Sequence, residues 1–240
     1  MHRCMRYRNL FLSMTLCACQ TLAIQDMSPE EGQERIQSYY EDHRWEELIH
    51  DIDAYKTRYP YVAFSSEARF LQADAYYQSQ KYTEALDSYQ EYIKLSPKNP
   101  RIKDAIFRIA ECWEKQSSED SHRDQSITLI AFEAYEAFKE RYPQDAMAQE
   151  AQTRMNKLQD RVLNHYNQIS EFYYGKNKIY SSFIYDVKIL EKGKINQDIW
   201  KQARTRVRKA LKTITNCKDH YVCPGQSALV DRAKELLKTN

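Results

Sequence analysis

The stretch "SSEARFLQADAYYQS" (65–79), followed after one residue by "KYTEALDSYQEYIKLSP" (81–97), decides the fold. In each half, small and aromatic residues recur three and four positions apart, the period of an amphipathic helix. Pro97 closes the second half, because proline cannot continue a helical hydrogen-bond ladder. Ala73 and Ala85 are small enough to let two antiparallel helices approach closely, and Tyr76 and Tyr89 fill the space around that contact. Thr83 is expected to cap the second helix.

The same grammar recurs on both sides. "KTRYPYVAFSSEARF" (56–70) and "KERYPQDAMAQEAQT" (139–153) both read Arg-Tyr-Pro and, after six residues, Glu-Ala. Tyr39, Leu48, Ile52, Tyr55 and Pro60 match Tyr76, Ala85, Tyr89, Tyr92 and Pro97 at an offset of 37. Ala85, Tyr89, Tyr92 and Pro97 then match Ala131, Tyr135, Phe138 and Pro143 at an offset of 46. The nine extra residues fall in the polar run "KQSSEDSHRDQS" (115–126), read as a lengthened turn. A helix pair of this length with an Ala/Tyr/Pro signature is the tetratricopeptide pattern. The expected fold is all-α, a right-handed solenoid of about five repeats with the last degenerate. Units are expected at 28–60, 64–97, 101–143 and 147–194. Residues 195–240 supply two basic helices as an atypical closing repeat, the first with Ile199, Ala203, Val207, Leu211 and Ile214 on one face. With only 4 glycines and 6 prolines in 240 residues, composition agrees.

The N-terminus is different in kind. "MHRCMRYR" holds three arginines and no acid, and the apolar run after it is too short to span a bilayer. Residues 1–18 read as a lipoprotein-type export signal. "LCAC" (Leu16–Cys19) resembles a bacterial lipobox, making Cys19 the expected lipidated residue and 19–27 a lipid-anchored linker. An ordinary secretory signal cut nearby and an uncleaved apolar start are the alternatives. Cys217 and Cys223 flank a loop-like stretch and would be free to pair in an oxidising envelope, or to remain thiols. Cys112 lies on an apolar helix face and reads as an inert core residue.

A lipobox, repeated tetratricopeptide units, Arg123-Asp124-Gln125 before one helix, Arg141-Tyr142-Pro143 after it and the helix "RMNKLQDRVLNHYNQISEFYY" (154–174) occur in this order. The combination resembles the BamD family, outer-membrane lipoproteins of β-barrel assembly, over roughly residues 28–195. The resemblance implies a non-catalytic scaffold anchored at the periplasmic face of the outer membrane of a Gram-negative bacterium. Its implied partners are a BamA-like barrel protein through its POTRA domains, other lipoproteins of the machine, and unfolded outer-membrane proteins. A periplasmic adaptor for cell-wall or division proteins and a cytosolic co-chaperone are the competing readings.

No P-loop, HExxH or nucleophile–base constellation is present, the six histidines are scattered, and no Cys/His set has metal-ligand spacing. The sequence therefore predicts no enzyme, metal or cofactor. A groove is the better candidate. First helices of tetratricopeptide pairs line the concave face, which would present Glu30, Gln33, Gln37 and Tyr40, then Glu67, Phe70, Asp74, Tyr77 and Gln78, then Asp104, Phe107, Glu111 and Glu114. This face reads as acidic and aromatic, suited to an extended peptide stacking on Phe70 and Tyr77. These two rings are equally readable as packing between units. Charge is uneven: residues 26–120 hold 20 acids and 12 bases, residues 176–218 hold 12 bases and 3 acids. Lys201, Arg204, Arg208 and Lys212 recur at helical spacing. With Arg123 and Asp124 they are the docking candidates; a solvated face or contact with an anionic membrane are the alternatives. Nucleic acid fits an exported protein poorly.

Overall fold

A computed structural model describes residues 23–193, 196–216 and 224–238. Cys19 and the signal stretch, together with Cys217 and Cys223, lie outside the described residues. Among the described residues ten α-helices follow in order: α1 Pro29–Glu41, α2 Trp45–Arg58, α3 Phe64–Gln78, α4 Tyr82–Leu95, α5 Ile102–Gln116, α6 Ser126–Arg141, α7 Ala146–Gly175, α8 Ile179–Glu191, α9 Gln197–Asn216 and α10 Pro224–Lys238. Each helix packs on its sequence neighbours, so the pairs α1/α2 to α7/α8 stack as an all-helical tetratricopeptide-type solenoid.

The matched positions are the core of each unit. Leu48, Ile52 and Tyr55 in α2, Ala85, Tyr89 and Tyr92 in α4, and Ala131, Tyr135 and Phe138 in α6 are all fully buried. The alanine of each acid–Ala pair, Ala68, Ala105 and Ala151, is fully buried too, where only a methyl group fits between helices. Tyr59, Ser96 and Tyr142 each leave the helix at φ between −126° and −129°, ahead of Pro60, Pro97 and Pro143. The following proline excludes the helical conformation there, so one local rule ends three helices identically.

The turn inside each unit is also repeated. His43, Gln80 and Asn177 adopt positive φ of 57°, 61° and 56°. At each, two reverse bonds close the helix, as in Arg44 N–H to the Tyr39 carbonyl (2.8 Å) and His43 N–H to the Tyr40 carbonyl (3.2 Å). This left-handed cap usually employs glycine. The third unit instead has the nine-residue loop 117–125, in the stretch read as a lengthened turn. Thr83 does not cap α4: the helix begins at Tyr82 and the Thr83 hydroxyl reaches Gln116 Oε1 at 3.3 Å. The left-handed Gln80 starts the helix two residues earlier than a Thr83 cap would require.

Both ends are packed. Ile24, within the stretch expected as linker, is buried in the core of α1, α2 and α3. At the other end Ile199, Trp200, Ala203 and Val207 of α9 and Val230 and Ala233 of α10 share one core with Leu163 of α7 and Phe183 and Val187 of α8. Arg206 of α9 forks onto Asp186 of α8 at 2.8–3.1 Å, and Asp186 also accepts from Ser170 of α7 at 2.6 Å. Burial pushes the Asp186 carboxyl up, against the pull of Arg206 and Ser170.

Candidate functional site: a concave groove crossed by an ionic ladder

Helices α1, α3, α5 and α7 stand side by side on the inner face, and one chain of polar contacts crosses all four. The Tyr40 hydroxyl of α1 donates to the buried Asp74 carboxylate of α3. Asp74 also accepts from Tyr89 OH at 3.0 Å and lies 3.8 Å from Arg108 of α5. Arg108 pairs with Glu111 at 2.7 Å, and Glu111 with Arg154 of α7 at 2.9 Å. Arg154 continues to Glu114 at 2.8 Å and Glu150 at 2.7 Å, and Glu114 accepts from Tyr135 OH at 2.6 Å. At the rim, Arg101 pairs with Glu67 and sits over the Phe70 ring, 3.7 Å from its centroid.

These contacts fix the charge state. Burial would lower the Arg108 pKa, but Glu111, Tyr89 and Asp74 raise it further, so the cation is held. Arg154 behaves likewise through Glu114 and Glu150. Burial and the Asp74 hydrogen bond push Tyr40 up to about 12, leaving it a neutral donor. The ladder encloses a groove of about 330 Å³ with Tyr40, Asp74, Arg101, Arg108, Glu111 and Met147 on its walls.

Of the expected groove residues, Tyr40, Phe70, Asp74, Asp104, Phe107 and Glu111 border this cavity, and Glu67 reaches its rim through Arg101. Tyr77 sits to one side, its ring 5.6 Å from Tyr82 and beneath Arg108. Glu30, Gln33 and Gln37 do not border it. Two features differ from the expectation. Phe70 is only 3% exposed, packed edge-on against Tyr89 and Tyr92 with Arg101 over its ring, so no peptide can stack on it. The face is also not simply acidic, because Arg101, Arg108 and Arg154 pair with its carboxylates. Their signal was present in the sequence: Arg154 follows Glu150 by four positions and Arg108 precedes Glu111 by three, the spacings of helical ion pairs.

The docking candidates fall in two places. Arg123 and Asp124 are exposed on loop 117–125, whose backbone is held from inside. Buried Gln125 donates to the carbonyls of Asp120 and Arg123, Arg161 of α7 donates to the Ser118 carbonyl (3.2 Å), and His165 meets the Ser121 carbonyl at 2.7 Å. Asp124 accepts from the Ser126 hydroxyl and N–H, which holds its carboxyl below the usual range. Lys201, Arg208 and Lys212 are exposed along α9. Arg204 is instead committed inside the protein, donating to the Leu237 carbonyl at 3.0 Å and covering Trp200. Arg206, not singled out from the sequence, is the cation that seats α9.

Fold and groove together define the class: a tetratricopeptide-type solenoid whose inner face is an internally paired concavity. Residues 25–192 match the family model described as YfiO, outer membrane lipoprotein. The chain belongs to that family. A relative from Vibrio cholerae, named outer membrane protein assembly factor BamD, is 20% identical over 98% of this chain and 99% of its own length. Proteins of the same name from Caulobacter vibrioides and Neisseria gonorrhoeae are 26% and 23% identical. The former match takes in 54% of this chain and 42% of that relative, the latter 69% and 67%.

Proposed function

We propose that this protein is a non-catalytic scaffold of outer-membrane β-barrel assembly, lipid-anchored through Cys19 on the periplasmic face. Its family membership over residues 25–192 carries the reading. The exposed cations Lys201, Arg208 and Lys212 of α9, with Arg123 and Asp124 on the stapled loop, form the surface for the acidic face of a POTRA-bearing barrel protein and for companion lipoproteins. Electrostatic complementarity of this kind sets partner choice and association rate. The groove receives extended segments of unfolded outer-membrane proteins, with Tyr40 and Arg101 as contacts, Phe70 being covered and Tyr77 standing to one side.

The test is to solubilise envelope membranes gently, capture the tagged chain and identify what accompanies it, with Cys19→Ala in parallel. The expected result is recovery of a barrel protein with POTRA repeats, and loss of membrane retention in the variant. Recovery of wall-synthesis or division proteins without that barrel would favour the adaptor reading instead.

A further inference from the structure

Each junction between successive units lies on the same edge of the solenoid, and hydrogen bonds join these junctions laterally. The Tyr59 hydroxyl donates to the Met27 carbonyl at 2.5 Å. Ser66 meets Ser96 at 2.7 Å, and Asn99 donates to Ser66 at 3.3 Å. Lys103 Nζ reaches Asp145 at 2.7 Å. Residues 55–63, 92–101 and 138–145, which form these junctions, carry seven basic side chains and two acids, Glu140 and Asp145. The turns on the opposite edge, 42–44, 79–81, 117–125 and 176–178, carry five bases and four acids.

Three of the seven cations have polar partners, Lys56 with Gln72, Arg101 with Glu67 and Lys139 with Gln152, and two lie over neighbouring rings, Arg58 over Tyr59 and Arg141 over Tyr142. Arg58, Lys94, Lys98 and Arg141 are exposed. Basic residues in a last helical turn also offset the helix dipole, which would explain the charge alone. It does not explain the apolar side chains at the same edge. Tyr61 is 99% exposed at the first junction and Leu95 51% exposed at the second. Cations interleaved with a protruding tyrosine and leucine match a headgroup layer, where lysine and arginine meet phosphate and tyrosine settles at the apolar boundary.

We propose that this junction edge rests on an anionic phospholipid surface. The proposal rests on the anchor at Cys19, which makes a bilayer the nearest extended surface. Ile24 is buried in the first unit, so the chain from Cys19 to Ala23 can span at most about 14 Å. Glu30 and Glu140 are exposed acids near this edge, and the cations are densest at the second junction.

The test uses the mature lipidated chain reconstituted into phosphatidylglycerol/phosphatidylethanolamine vesicles containing brominated lipid. Tyr61→Trp is expected to lose most of its added emission to bromine quenching. Glu119→Trp, on the opposite edge, is expected to keep its emission. Charge reversal at Arg58, Lys94, Lys98 and Arg141 is expected to restore the emission at position 61 while the protein stays on the vesicles. Absent quenching at 61, or equal quenching at both sites, overturns the proposal. Partner capture lost on charge reversal, with no quenching at 61, also overturns it and assigns the edge to a protein. Mass measurement of the N-terminal peptide reports the anchor separately. An unlipidated chain that still sediments with anionic vesicles through position 61 retains the edge and rejects the anchor.

Discussion

Asp74 shows how much one side chain holds. It is 3% exposed, and three groups from three helices converge on it: Tyr40, Tyr89 and Arg108. Asp74→Ala leaves two hydroxyls without an acceptor and Arg108 with only Glu111. The expected cost is roughly 2–4 kcal/mol, measured by urea unfolding, with Asp74→Asn costing less because an amide oxygen still accepts. Cys112 is fully buried on α5, and burial, then Glu111, pushes its thiol up to about 12. Since the thiolate is the reactive form, peptide mapping should find Cys112 unalkylated at pH 8 in the folded protein and labelled after denaturation. Periodicity placed both residues on buried helix faces or in the groove. The burial of Phe70 was open in the sequence, because helix spacing fixes a direction and not what arrives to cover it.

The repeated turns supply the test at the element scale. Gln80 holds the left-handed cap of α3 at φ 61°, where a Cβ is unfavourable. Gln80→Gly should stabilise the protein by about 1 kcal/mol, seen as a raised urea midpoint at unchanged slope. At α9 the sign is opposite. Arg206→Ala leaves Asp186, 1% exposed, with serine hydroxyls in place of a bidentate cation. The expected result is a loss of roughly 3 kcal/mol, with hydrogen-exchange protection falling first in α9 and α10. Sequence periodicity found α9 as amphipathic, yet gave it no address. Its apolar stripe fits several neighbours, and the buried Asp186–Arg206 pair selects α8.

Across the whole molecule, charge is arranged in three zones: a self-paired groove, a cationic junction edge and the basic helix α9. Exposed cations on α9 act through a screened field, so Arg208→Glu with Lys212→Glu should weaken capture of an acidic partner more at low salt than at high salt. A binding assay in which neither condition changes would reject docking by α9. Acid should loosen the stack at its surface links. Lys103 and the Met147 N–H hold the Asp145 carboxyl below its ordinary value. Such a group contributes stability fully above the ordinary carboxylate pKa and loses it as pH falls through the depressed value. The urea midpoint is therefore expected to stay flat from about pH 7 to 5 and to fall below about pH 4, less steeply in Asp145→Asn.

The sequence by itself determined the helix pairs, their prolines and the inserted loop, because these depend on contacts a few residues apart repeated at offsets of 37 and 46. Only the tertiary structure decided the character of the groove. The cations that neutralise its carboxylates come from two segments, Arg101 and Arg108 at α5 and Arg154 on α7, up to 53 positions apart. Tertiary structure likewise joined three short basic stretches into one edge and turned Arg204 inward from an apparently uniform basic face. Local periodicity sets which way a side chain leaves its helix. Stacking of the units sets which opposite charge it meets.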